Sequence, residues 1–413
     1  MQNKPMVRLF GLFVVVIALV GPSGFGALRS SNPETRTFGP ADQGAQDETG
    51  YYATICGGQG NTAAAAHATV CGGLYNTASV EQATVSGGTE NTASATRATI
   101  GGGYGNSASR LDATIGGGGG NTASGSHATV GGGSRNAASG RDSTVSGGAY
   151  NSAVNTNTTV GGGSENAATG FDATVGGGAG NTASGAHATV AGGLGNQGTQ
   201  IYATVGGGYS NAADGAYSTV PGGFLNQAAG DHSFAAGHRA SVETAHPGVF
   251  LFADANDFDF HSEAANEFAV RATGGIRFVT ATDDRGNPTA GVQLPPGSGS
   301  WSSLSDRGVK ANVSPVDEDQ VLGLLADLPI SVWNYTGQDP FIRHIGPTSQ
   351  DFRAAFGLGE DDQHISTVDA DGVALAAIQG LYQLVQEQDS LIKAQQGQIA
   401  ALEARLAALE QAQ

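Results

Sequence analysis

Ser305-Asp306-Arg307-Gly308-Val309-Lys310 is the stretch of this chain in which residue types and spacing can do covalent chemistry. It sets a hydroxyl five residues before an amine, and Lys310 is one of three lysines in the chain, with Lys4 and Lys393. A serine hydroxyl is a poor nucleophile until a base takes its proton. A lysine serves as that base when neutral, which requires low-polarity surroundings. Such a pair is a known variant of the serine-protease arrangement. If the bond attacked lies in the same chain, geometry replaces substrate binding. Read from the residues alone, the spacing also suits a solvated polar turn.

Other groups of chemical residues give less. Asp254, Asp257 and Asp259 crowd together but lack the central glycine and bidentate glutamate of a calcium-binding helix–loop–helix site. They read as turn and surface residues. His67, His127 and His187 share one repeat column but are interrupted by Gln82, Arg97 and Asp112, so they read as surface residues. No metal or cofactor is expected. Cys56 and Cys71 stand fifteen residues apart in one column. Stacked coils would bring their Cα atoms to ~4.8 Å, within disulfide range. The pair reads equally as two small residues in a column otherwise filled by Ser86, Gly101, Ala191 and Pro221.

The elements that carry these residues are announced by a repeat. Asn recurs every fifteen residues from Asn61 and Asn76 to Asn211 and Asn226, twelve times without a slip. Seven residues before each Asn is a Thr, followed by Val or Ile and then by Gly-Gly. A fixed short period marks a solenoid in which each coil contacts mainly its neighbours. The Ala-Thr-Val triplet reads as a short strand with Val or Ile inward and Thr outward. Gly-Gly supplies positive φ at a corner. The Asn column is expected to take left-handed backbone at the next corner and to bond coil to coil. Twelve coils predict a rod of roughly 55–60 Å. So thin an interior buries little apolar surface per residue, which argues for association of chains along the rod.

This repeat resembles the head of trimeric autotransporter adhesins. His127-Ala128-Thr129-Val130-Gly131-Gly132-Gly133 and His187-Ala188-Thr189-Val190 carry the likeness. It implies a left-handed parallel β-roll with three chains per head. Those adhesins end in a β-stranded anchor and this sequence ends in a helical pattern, so autotransport is not expected.

A second resemblance lies downstream. Asn312-Val313-Ser314-Pro315-Val316, Pro329-Ile330-Ser331-Val332-Trp333-Asn334-Tyr335, Ile342-Arg343-His344-Ile345-Gly346-Pro347, Gln350-Asp351-Phe352 and Val368-Asp369 resemble the peptidase S74 family. These are intramolecular chaperone domains at the C-termini of phage tail spikes, endosialidases and myelin regulatory factor. The likeness implies a domain that trimerises, assists assembly of the upstream β-structure and cuts itself off through a Ser-Lys dyad. Ser305 and Lys310 fall on the dyad positions and His344 on the supporting histidine. The resemblance places the cut at Ser305-Asp306; the residues alone leave Leu304-Ser305 open. Gly308 departs from the larger residue usual at its position.

The chain closes on a heptad pattern. Ile378, Val385, Ile392, Ile399 and Leu406 hold the a positions; Leu381, Gln388, Gln395, Leu402 and Leu409 hold d. Gly380 and Gly397 are expected to weaken the helix locally. At the other end Lys4 and Arg8 precede an apolar run from Leu9 to Val20, a secretory signal pattern too short for a comfortable membrane span. A net charge of −18, with 67 glycines and 13% charged residues, argues against a nucleic-acid partner.

The reading is thus mainly β: a left-handed parallel β-roll of about twelve coils, a small β module, then an α/β chaperone domain with a helical coiled coil, as a homotrimer. The divisions are a signal peptide at 1–27, a flexible leader at 28–50, head repeats at 51–240, a β module and linker at 241–300, the chaperone-like domain at 301–374 and the coiled coil at 375–413. The expected function is an exported, secreted or cell-surface fibre assembled and then released by its own C-terminal domain. The alternative is an adhesin or rod binding a surface glycan or protein, in which that domain trimerises and stays. An ice-binding face is disfavoured, because strand alternation leaves one outward Thr column.

Overall fold

The computed structural model describes residues 36–37 and 46–411. The signal segment 1–27 and most of the leader lie outside them. Two compact units divide the chain, one up to Ala272 and one from Thr273.

The first unit is a parallel β-solenoid of about fifteen turns, ~70 Å of stacked coils at the usual strand spacing. Two-residue strands pair in register fifteen residues apart, Thr54↔Thr69 and Ile55↔Val70 on one ladder, Thr62↔Thr77 and Ala63↔Ala78 on another. A third line of single bridges runs from Gln59 to Phe224. Alternation puts Val70 and Ala78 wholly inside and Thr69 and Thr77 half-out. The core of most coils is thus one Val or Ile and two Ala, as in Ala68, Val70 and Ala78, with Ser143, Thr158 and Ser218 replacing one Ala and Gly198 another.

The buried Asn column ties the coils. The Asn61 side-chain oxygen accepts from the Asn76 amide at 2.9 Å, and its Nδ2 donates to the carbonyls of Gly57 at 2.9 Å and Gly73 at 3.0 Å. This pattern repeats up the rod and satisfies buried amides that the thin core would otherwise strand. The expectation of left-handed backbone at the Asn itself does not hold. The preceding residue takes it, as at Tyr75, Glu90 and Arg135, and so does the residue before each Ala-Thr-Val, as at His67 and Asp112. The column Asn residues stay out of the left-handed region, and their side-chain amides are used inside.

The solenoid also reaches beyond the perfect period. Arg36–Thr37 and Asp47–Glu48, assigned to the flexible leader, pair onto the first coils. Downstream, Phe234, Phe250 and Phe268 continue the Thr column in longer coils, with rings stacked at 4.7 and 4.9 Å. Much of the presumed separate module from 241 is therefore more solenoid, its period hidden by loop insertions. Arg271 fastens the 254–259 loop, donating to Asp254 and to the carbonyls of Asn256 and Phe258.

In the second unit, β1 (Ile276–Thr282) and β2 (Pro288–Leu294) form an antiparallel hairpin whose other edge takes β3 (Ser302–Ser303). Then come α1 (Glu318–Asp327), β4 (Ser331–Trp333), β5 (His344–Gly346), α2 (Ser349–Phe356) and α3 (Thr367–Glu410). Asp317 and Thr348 cap α1 and α2 by accepting from backbone amides, and Gly357 ends α2 in left-handed backbone. A small core of Leu328, Phe352 and Val373 joins α1, α2 and the start of α3. Gly380 belongs to this packing: a Cβ there would lie 2.6 Å from the Glu318 carbonyl, so the glycine admits α1 against α3. The 44 residues of α3 make a helix of about 66 Å. Past Gly380 its apolar seam is exposed, with Ile399 at 55% and Leu402 at 61%.

Candidate functional site

The site is built on the segment leading out of β3. The Leu304 amide donates to the Gly291 carbonyl at 2.9 Å, so strand-like pairing continues to the residue before Ser305. A 3₁₀ turn over Arg307–Val309 follows at once, capped by the Asp306 carboxylate, which accepts from the Gly308 amide. The turn folds the chain back on itself. Lys310 Nζ thereby comes to 2.7 Å from Ser305 Oγ and donates to it. Both residues are exposed in the single chain.

His344 occupies a different nest. It stands across from Trp333 in the β4–β5 ladder, with ring centroids 4.9 Å apart, and 5.6 Å from the Tyr335 ring. The Gln338 side-chain oxygen accepts from Nε2 at 2.9 Å. Among the described residues, no hydrogen bond or ion pair joins His344 to Ser305 or Lys310. The fold therefore brings two of the three expected residues together. Gln338 had no distinguishing signal in the sequence, since its link to His344 is made across a turn. The cap role of Asp306 was legible in principle from an acidic residue two positions before a glycine.

Residues 305–357 match the sequence profile of the peptidase S74 family, the chaperone of endosialidase. The match begins on Ser305 and takes in Lys310 and His344. No curated protein matches the chain.

Elsewhere the candidate residues sort by column. Arg97 and Asp112 form a two-pronged ion pair, with bonds of 2.6 and 2.7 Å, and His127 lies between Asp112 and Asp142. His187 stacks on Tyr202, Tyr202 on Tyr217 and Tyr217 on His232, at 4.7 to 5.2 Å. These side chains serve one another along the rod surface. Among the described residues no group of three metal-ligating side chains occurs, and no helix is long and apolar enough to cross a membrane. Cys56 and Cys71 are both free thiols. Burial first, and then the neighbouring Cys71, push the Cys56 thiol above its usual range.

Proposed function

We propose that this chain is an exported fibre protein whose C-terminal domain brings three copies together, sets the register of their β-rods and then cuts itself off near Ser305-Asp306. The contact of Lys310 Nζ with Ser305 Oγ, at the head of the segment that matches a chaperone family, carries the reading. Parallel stacks fold slowly because pairings must find register. A clamp at one end of three chains raises their mutual concentration and fixes that register. The exposed seam of α3 is what such a clamp would bury, with Gln388 and Gln395 as polar layers that specify alignment.

The chemistry is acyl transfer. Neutral Lys310 takes the Ser305 hydroxyl proton, Oγ attacks a peptide carbonyl carbon, and the leaving amine receives the proton as the C–N bond breaks. Water then hydrolyses the ester and restores the serine. Lys310 is exposed in the single chain; burial of the dyad by neighbouring copies would favour the neutral amine that the step needs, which ties cutting to assembly. Attack of Oγ on its own carbonyl would close a four-membered ring. A cut at Ser305-Asp306 is therefore best served by Ser305 of another copy, whereas a within-chain attack on the Leu304 carbonyl closes a five-membered ring and releases a fragment beginning at Ser305. His344 supports processing in this reading.

Intact-mass analysis of the chain beside Ser305→Ala and Lys310→Ala tests it. A fragment beginning at Asp306 in the parent, absent from both variants, is expected. A full-length parent that is trimeric would leave the domain an uncleaved trimeriser of a ligand-binding rod. We also propose a Cys56–Cys71 disulfide in the exported protein; the same spectrum, taken without reductant, reads it as the mass of two lost hydrogens.

A further inference from the structure

Around the dyad the backbone is held from both sides. Upstream, β3 pairs antiparallel with β2, Val292 facing Ser303 and Gln293 facing Ser302, and the Leu304 amide extends the ladder to Gly291. The Trp301 ring, just before β3, meets Phe278 of β1 at 5.6 Å. Downstream, the Asp306-capped turn is closed by the Val309 and Lys310 amides, each donating at 3.3 Å to the carbonyls of Asp306 and Arg307. Ser305 is the joint between strand and turn. Gly291, whose carbonyl takes the Leu304 amide, lies so close to β1 that a Cβ would strike the Phe278 carbonyl. The ladder between β1 and β2 shifts register beside it, at Val279–Ala281, and such bulges re-aim a strand locally. A groove of about 250 Å³ flanks the joint, lined by Arg277, Phe278, Val292, Leu304 and Ser305 among others.

We propose that the β1–β2 hairpin is the substrate-side clamp of the self-cleavage: it takes residues 302–304 as an added strand, fixes the Ser305-Asp306 bond for attack by the dyad of another copy, and keeps the new C-terminus as an ordered edge strand afterwards. This rests on the self-cleavage reading above. Strand addition recognises main chain and tolerates varied side chains. The polar, small Ser302 and Ser303 are therefore acceptable, and the demand falls on the amide of residue 304. Position is worth as much here as basicity, because a reacting group misplaced by about an ångström loses roughly a hundredfold in rate. Leu304 is a positioning residue; it takes no part in proton transfer.

The test uses the full chain and follows first-order loss of the parent species after refolding, with Ser305→Ala as the uncut control. Leu304→Pro removes the amide that donates to the Gly291 carbonyl and is expected to slow cutting by about tenfold or more. Leu304→Val restores the amide and should recover the rate. The pH of half-maximal rate should not move in either variant, and both should retain the trimer mass. Trp301→Ala, which leaves every ladder hydrogen bond in place, guards against a Leu304→Pro chain that fails to fold; it should slow cutting about threefold. Hydrogen exchange at 302–304 should stay slow in the N-terminal product. Equal rates in parent, Leu304→Pro and Trp301→Ala, or fast exchange at 302–304 in a parent that cuts normally, overturn the clamp while the self-cleavage stands. A parent that never cuts overturns both.

Discussion

Replacing Asn136 by alanine is the sharpest probe of what holds the rod together. Its side-chain oxygen accepts from the Asn151 amide at 3.0 Å, and its Nδ2 donates to the Gly132 carbonyl at 2.8 Å and the Gly148 carbonyl at 2.9 Å. The consequences differ at the three partners. Gly148 keeps a donor, because the Ser134 amide also reaches its carbonyl at 2.9 Å. The Gly132 carbonyl is half-buried and can be rewetted. The Asn151 amide is inside, where Asn151 is 1% exposed, and an unpaired buried donor costs about 1–3 kcal/mol. With about 1 kcal/mol more for the lost Nδ2 bonds, Asn136→Ala should cost about 2–4 kcal/mol. Asn136→Asp keeps the size but turns the donor into a second oxygen facing two carbonyls, so it should cost more than alanine at neutral pH. Urea unfolding by circular dichroism, on the Ser305→Ala background and at fixed protomer concentration, gives the magnitude. Hydrogen exchange at residue 151 gives the location. A loss below about 0.5 kcal/mol with exchange at 151 unchanged would show that the Asn column is decoration and the β-ladders alone carry the rod.

Two further outcomes follow from the same geometry. Gly148 has φ +89° and a Cβ there would run into the Gly163 carbonyl, whereas a Cβ on adjacent Gly147 meets nothing; Gly148→Ala should cost about 3 kcal/mol or more and Gly147→Ala under about 1, read as shifts in thermal midpoint. The Arg97 side-chain hydrogen bond holds the Asp112 carboxyl below its usual range. A depressed folded value means the contribution is present above the ordinary carboxylate range and is lost as pH falls through the lower folded value. The thermal midpoint of Asp112→Asn should therefore trail the parent slightly at pH 7 and converge with it under acid, and a gap that widens toward low pH would contradict the assignment.

Much of this was readable from residues because the repeat has so few degrees of freedom. Val130 inward and Thr129 outward follow from strand alternation, and the Gly-Gly corner follows from backbone sterics. What the spacing hid was the use of the corner. The buried amide of Asn136 is worth more inside than its tolerance for left-handed backbone, so Arg135 takes that conformation instead. The rod's true end was hidden because insertions lengthen the last coils while Phe234, Phe250 and Phe268 keep the ladder in line. Downstream, the i and i+5 spacing of Ser305 and Lys310 is compatible with many loops. It takes the Asp306 cap, a two-residue feature with no period, to fold Lys310 back onto Ser305.

From Thr54 to Val220 the paired strands join residues fifteen apart, so removing or adding one whole coil there leaves each surviving Asn, Gly and Val facing the same partners as before. Length in this molecule is therefore counted in steps of about 4.8 Å, each specified by forty-five nucleotides of coding sequence. A change of any other size must be taken up as a loop between ladders, as in the longer coils between Phe234 and Phe268. Reach can thus be altered by duplication within the gene while the machinery at the far end of the chain stays as it is.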